Sequence, residues 1–165
     1  MKLRIARILF GSGLLLSAIG FAFCHMLASP TPPYSSMGNV AIFFVGMLVP
    51  ITGVIVYGWV KLFGSTFLRT WRKWLLILLP LHIVGAIMWQ VHLLDDYRKM
   101  LGDDLEDFFG YRDDQYILDI TQGFADQLNN QFFNVNTWLA YISMTLWLAL
   151  MLVSLTKRKT THEVT

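Results

Sequence analysis

The chain has 165 residues, 55% of them hydrophobic and 15% charged, with a formal net charge of +2. It is too apolar for an ordinary soluble domain, and its single cysteine, Cys24, excludes an internal disulfide or dithiol chemistry within one chain. The small net charge hides a division. Residues 95–137 hold ten of the eleven acids against Arg98, Lys99 and Arg112, while the other ten bases face only Glu163. Those ten bases flank apolar runs, the pattern of juxtamembrane anchoring and not of nucleic-acid binding.

The start, MKLRIAR, is a basic leader, and the apolar run behind it lasts from Ile8 to Ala28, longer than a secretory signal core. Phe23 also stands before Cys24, where a lipoprotein signal needs a small residue. Residues 8–28 are therefore predicted as a first membrane span, close to the roughly 20 residues that a bilayer core requires. Within it Gly13, Ser17, Gly20 and Cys24 share one helical stripe of small side chains, which lets another helix approach closely. The link at 29–39, SPTPPYSSMGN, ends that helix with proline and makes spans 1 and 2 antiparallel neighbours.

Span 2, residues 40–60, has no charge, but Pro50 at its middle removes an amide donor and frees the carbonyl of Gly46. Thr52 and Gly53 follow, so a kink is expected there, of the kind that builds ion or substrate sites in transporters. The loop at 61–73 carries Lys61, Arg69, Arg72 and Lys73 and no acid, with Trp59, Trp71 and Trp74 at belt positions. Leu62, Phe63, Phe67 and Leu68 are expected at the headgroup boundary. Span 3 is residues 74–94. On it His82, Gly85, Trp89, His92 and the following Asp96 fall within an arc of about 80°. That face is too polar for lipid and is expected to turn toward other helices or a wet cavity.

Beyond Leu94 the apolar residues Tyr97, Met100, Leu101, Leu105, Phe108 and Phe109 keep helical spacing, so the third helix projects past the membrane until Gly110 stops it. Asp113 and Asp114 suit the start of a further helix, whose stripe is Ile117, Ile120, Phe124 and Leu128. Residues 95–137 thus read as an acidic helical hairpin. Span 4, residues 138–155, is capped by Asn136 or Thr137, offers Ser143 and Thr145 for bonds to other helices, and is followed by Lys157, Arg158 and Lys159. The last residues, TTHEVT, read as a mobile tail.

Ten of the thirteen Lys and Arg residues fall in the N-terminal tail, the middle loop and the C-terminal tail, all on one side of a four-span chain. The positive-inside rule makes that side cytoplasmic. The expected fold is an all-α integral protein of the inner (cytoplasmic) membrane. It forms a single membrane domain, a four-transmembrane-helix bundle with both termini cytoplasmic and the acidic hairpin between helices 3 and 4 on the outer, periplasmic face.

Several residues have chemical potential. His25 and His92 each lie near the outer boundary of a span, and two histidines from different helices can ligate a b-type haem. Cys24 lies beside His25, and Asp95 and Asp96 close after His92, near enough in sequence to suggest a metal site instead. His82 sits deeper, where a proton relay or a neutral side chain bonded to a neighbouring helix is expected. Asp103, Asp104, Glu106 and Asp107, with Asp113 and Asp114, form a solvated acidic surface suited to a basic external partner. They lack the alternating acids and central glycine of a calcium-binding EF-hand loop. No nucleophile–base pair, phosphate-binding loop or HExxH helix is present. The four-span layout with a long outer loop before the last span resembles the disulfide-bond oxidant partners of the bacterial inner membrane. Those depend on cysteine pairs, and Cys24 alone places this chain outside that family.

The expected function is non-enzymatic: an oligomeric sensor or scaffold subunit. Its acidic hairpin would meet an external partner or signal, and its basic inner loop and tail a cytoplasmic protein, as in a bacterial stress, immunity or antiviral (phage) defence system. Two alternatives are a redox subunit with haem on His25 and His92, and a small channel or transporter subunit with Pro50 and His82 lining its path.

Overall fold

The computed structural model describes residues 2–27, 39–62, 66–123 and 128–162, without the side chains of Lys2, 66–69 and 156–162. All regular structure among them is helical: α1 (Lys2–Met26), α2 (Ala41–Leu62), α3 (Thr66–Phe109), α4 (Asp114–Ile120), α5 (Asn129–Phe132) and α6 (Val135–His162). Four of these, α1, α2, α3 and α6, are long and apolar enough to cross a membrane, and they contain the four predicted spans almost whole. Of the 29–39 link only Asn39 is among the described residues. Its side chain accepts from the Ala41 amide at 3.0 Å and opens α2. The predicted boundary residue Phe63, the side chains of Phe67 and Leu68 and the last three residues of the tail lie outside the described residues.

The tightest seam joins α1 to α2, and small residues are the reason. A Cβ on Gly13 would stand 3.0 Å from Ile55 Cγ1, and one on Gly20 would fall inside the Phe44 ring. The relation is mutual, because Gly58 on α2 gives the same room to Phe10, whose ring meets Trp59 edge-on at 4.8 Å. Ser17 and Cys24 complete the stripe and are fully buried. The core around them gathers Phe21, Ala41, Ile51, Ile55, Phe133 and Tyr141.

Helix α6 closes on this pair through indole and hydroxyl groups. Trp138 Nε1 donates to Ser17 Oγ at 3.1 Å, and Trp59 Nε1 donates to Thr145 Oγ1 at 3.2 Å. The Thr52 hydroxyl donates to the Leu48 carbonyl at 2.7 Å, which leaves its oxygen to accept from Tyr141 at 2.9 Å. Helix α2 runs unbroken through Pro50, and α3 through Pro80.

Helix α3 is placed differently. Its one extensive neighbour among the long helices is α6, so the four do not close into a ring. The Asn136 amide donates to the Ala86 carbonyl at 3.0 Å, and His82 Nδ1 lies 3.0 Å from Ser143 Oγ. Contact with α6 uses the buried Ala86 and the partly buried Ile83 and Gln90. Ala86 stands about 100° round the helix from Gly85, so the polar arc beyond His82 comes to lie on a bare flank. Gly85, Trp89 and His92 are exposed, and a Cβ on Gly85 would meet nothing within 4 Å. Within the described chain the expected turn of this arc toward other helices occurs at His82, which meets Ser143, and not at Gly85, Trp89 or His92.

Past residue 94, α3 continues to Phe109. Tyr97, Leu101, Leu105 and Ile117 of α4 form a second, separate core, with Leu94 and Ile120 packed against it. Gly110, at φ +76°, ends α3; its amide still donates to the Glu106 carbonyl at 2.8 Å. Asp113 then caps α4, its carboxylate accepting from the Tyr116 amide at 2.9 Å. Helix α4 is shorter than the stripe through Leu128 predicts, because Thr121 closes it. The Thr121 hydroxyl donates back to Ile117 O at 2.6 Å, Arg98 binds Thr121 Oγ1 and O, and Gly123 adopts φ +63°. Phe124 lies outside the described residues, and Leu128 is buried just before α5.

Candidate functional site

Two regions hold the residues with chemical potential. The first is the acidic end formed by the distal half of α3 and by α4. Its three bases are all paired: Lys99 with Asp96 at 3.0 Å, Arg98 with Asp95 at 3.8 Å, and Arg112 with Asp114 at 2.7 Å and Asp103 at 3.6 Å. The guanidinium of Arg112 lies on the α3 backbone at Gly102, where a Cβ would come 2.5 Å from its Cζ. The hydrogen bond to Asp114, then the charges of Asp114, Asp103 and Glu106, hold that guanidinium's pKa above its ordinary value. Asp104, Glu106 and Asp107 make no close ion pair among the described residues, and Asp103, Glu106, Asp107, Asp113 and Asp114 are exposed. The surface is strongly anionic even after its internal pairs are counted. Below it the Tyr97 hydroxyl is buried without a hydrogen-bond partner among the described residues.

The second region surrounds α5 and the start of α6. The sequence NNQFFNVNT packs five amides into nine positions, and they knit the elements together. Asn134 caps α6: its Oδ1 accepts from the Thr137 amide, and Thr137 Oγ1 accepts from the Asn134 amide, both at 3.0 Å. The cap thus falls two residues before Asn136, with Thr137 as its reciprocal partner. The Asn134 side-chain amide donates to Gln90 Oε1 at 2.9 Å, and Gln90 Nε2 donates to Gln131 Oε1 at 3.0 Å. This belt ties α3 to α6. Its signal was a density of Asn and Gln beside an apolar helix, where amides without partners would be expensive.

The candidate histidines are in different settings. His25, in the last turn of α1, faces the Phe133 carbonyl at 2.8 Å from Nδ1. A carbonyl only accepts, so Nδ1 carries the hydrogen. His92 is 62% exposed on α3 with Nε2 3.5 Å from Asp96 Oδ2, and His82 is shared with Ser143. Helices α1 and α3 have no extensive mutual contact, and His25 and His92 keep separate partners. No group of three or more His, Cys, Asp or Glu residues is arranged to hold a metal ion among the described residues. Cys24, Gly13, Ser17 and Gly20 are together in the α1–α2 seam.

Two cavities flank the start of α6. One, of about 420 Å³, lies between α1 and the α5–α6 junction. The other, of about 460 Å³, lies between α3 and α6 and is lined by Ile83, Ile87, Leu94, Phe132 and Met144, among others. Neither Pro50 nor His82 lines either of them.

Comparison with protein-family models, with curated proteins and with solved structures finds no match for the chain.

Proposed function

We propose that this multi-pass membrane protein is a non-enzymatic sensor or scaffold subunit that works by assembly, joining a partner on its acidic face to one on its basic face. The observation that supports this reading is the length and placement of α3. Its 44 residues form one continuous helix, about 66 Å at 1.5 Å per residue, against a hydrocarbon core of about 30 Å. The helix starts beside Arg72 and Lys73 and ends in the cluster Asp103–Asp107. Force or tilt applied at the acidic end is carried to the basic end without passing through a loop.

The orientation is argued from the bases: chain ends and basic loop cytoplasmic, acidic end outside the inner membrane. A helix packed on one long neighbour is free to tilt against it. Its flank, with Gly85, Trp89 and His92, is too polar to rest in lipid without cost and is suited to a second copy of the chain or another membrane subunit. The acids Asp103, Asp104, Glu106, Asp107, Asp113 and Asp114 then meet a basic external partner, and the inner bases a cytoplasmic one.

Cysteine cross-linking tests the assembly directly. In a Cys24→Ala background, Gly85→Cys is expected to form a covalent dimer or to capture a partner subunit in intact membranes, whereas Gly13→Cys, inside the α1–α2 seam, is not. A strictly monomeric protein in mild detergent with no cross-link at position 85 contradicts the proposal.

A further inference from the structure

The apolar stripe of α3 outruns its cover. Tyr97, Leu101 and Leu105 are buried with Ile117 of α4, but the next two apolar residues emerge: Phe108 is 65% exposed and Phe109 46%. Gly110 then turns the chain at φ +76°, and Tyr111 beyond it is 62% exposed. The three rings form a series. Phe108 meets Phe109 edge-on at 4.8 Å between centroids, and Phe109 lies 6.3 Å from Tyr111. Single exposed apolar side chains are ordinary, but a contiguous patch with a polar rim marks a surface that another molecule covers. The membrane is not that cover. Phe108 lies 14 residues past Leu94, where the apolar run of α3 ends, which is about 21 Å of helix at 1.5 Å per residue. Asp95, Asp96 and the acids after them hold the stretch between out of hydrocarbon.

The rim selects the occupant by charge. Asp104 lies one helical turn below Phe108, Asp107 beside it, and Asp113 and Asp114 just past Tyr111. A second copy of the chain does not fit there. Its own tip brings the same acids, and its Arg98, Lys99 and Arg112 are already paired within that end. The other bases stand at the opposite ends of the long helices. Residues 28–38 and 124–127 contain no Lys or Arg, so the cations must come from another molecule.

We infer that the tip formed by Phe108, Phe109 and Tyr111 docks a basic polypeptide segment, with an arginine laid on the rings and an apolar neighbour covering Phe108. Arginine matches both halves of this surface. Its planar guanidinium stacks on an aromatic face and forks onto a carboxylate. A small polycation or a divalent ion would meet the acids and leave the rings in water. The inference rests on the reading that the acidic end meets a basic external partner, and it adds the apolar anchor that makes this partner a polypeptide.

The test uses the full chain in phosphatidylcholine nanodiscs, which expose both ends of the molecule, and a displayed library of random twelve-residue peptides. Peptides selected by the wild type and rejected by the double variant Phe108→Ser, Tyr111→Ser are expected to place arginine next to an aromatic or branched aliphatic residue. The affinity of the leading peptide is expected to fall about tenfold or more in each single serine variant, the scale of an interface anchor. Phe108→Tyr, which keeps the ring, is expected to retain it. Asp107→Asn is expected to weaken binding about threefold and to flatten its salt dependence. No peptide that discriminates wild type from double variant, or discriminating peptides that are neutral or acidic, overturns the inference. Basic peptides bound equally by both proteins overturn the aromatic anchor while leaving a basic partner for the acidic face. A missing cross-link at position 85 beside a positive peptide result would contradict the assembly reading alone.

Discussion

Helices α1 and α3 are both apolar and both long enough to span a bilayer, yet they relate to the rest of the molecule in opposite ways. Helix α1 carries a stripe of small residues, so Ile55, Phe44 and Trp138 come close enough to bury it, and Ser17 and Cys24 lose all contact with solvent. Helix α3 has no such stripe against α6, and within its span only Ala86 is buried. Apolarity puts a helix in the membrane; close approach of backbones decides what it packs against there. Bulk moves the interface outward, and the residues that α3 buries are instead concentrated beyond the span, at Tyr97, Leu101 and Leu105.

Substitutions sharpen this contrast. Leu101→Ala empties a fully buried position in the small core between α3 and α4 and should cost about 2–5 kcal/mol. The loss should show in hydrogen exchange over 95–121 while the α1–α2 seam keeps its protection. Gly20→Leu forces a branched side chain into the Phe44 ring and should cost about 1–3 kcal/mol in a detergent unfolding titration. Asp113→Ala removes the α4 cap and should cost about 1 kcal/mol, confined to the same region as Leu101→Ala. Ser17→Ala deprives the Trp138 indole of its acceptor and should cost about 0.6 kcal/mol, the average for hydrogen bonds between membrane helices. Gly85→Leu meets open space on α3 and should change monomer stability by less than about 0.5 kcal/mol. If Gly20→Leu and Gly85→Leu proved equally damaging, the distinction between the two helices would fail.

Much of the local structure is legible in the sequence, because it depends on residues close along the chain. The four apolar runs coincide with long helices. The spacing of Tyr97, Leu101 and Leu105 carries α3 past its span, Gly110 stops it, and Asp113 caps the short helix beyond. The small-residue stripe also marks a close seam. The pairing of α1 with α2 was legible from their short link, but the partner of α3 was not. Nothing in the composition of α3 says that its contact with α6 runs through Ala86 and Gln90, and a shift of about 100° decides whether the polar arc is covered or bare. His25 could be singled out by type, but its bond to Phe133 spans 108 residues and depends on the placement of α5. The end of α4 at Thr121 was missed for a similar reason. Its closure depends on Arg98, one helix away, which no local pattern records.

For α3 to link two partners, its acidic end must stand on the opposite side of the membrane from the basic loop. A membrane-impermeant maleimide applied to intact cells tests this in a Cys24→Ala background with single cysteines at Glu106 and at Lys73. Labelling of Glu106→Cys from outside, with Lys73→Cys reacting only after the membrane is permeabilised, is the predicted result. Labelling of Lys73→Cys in intact cells while Glu106→Cys stays protected would contradict it.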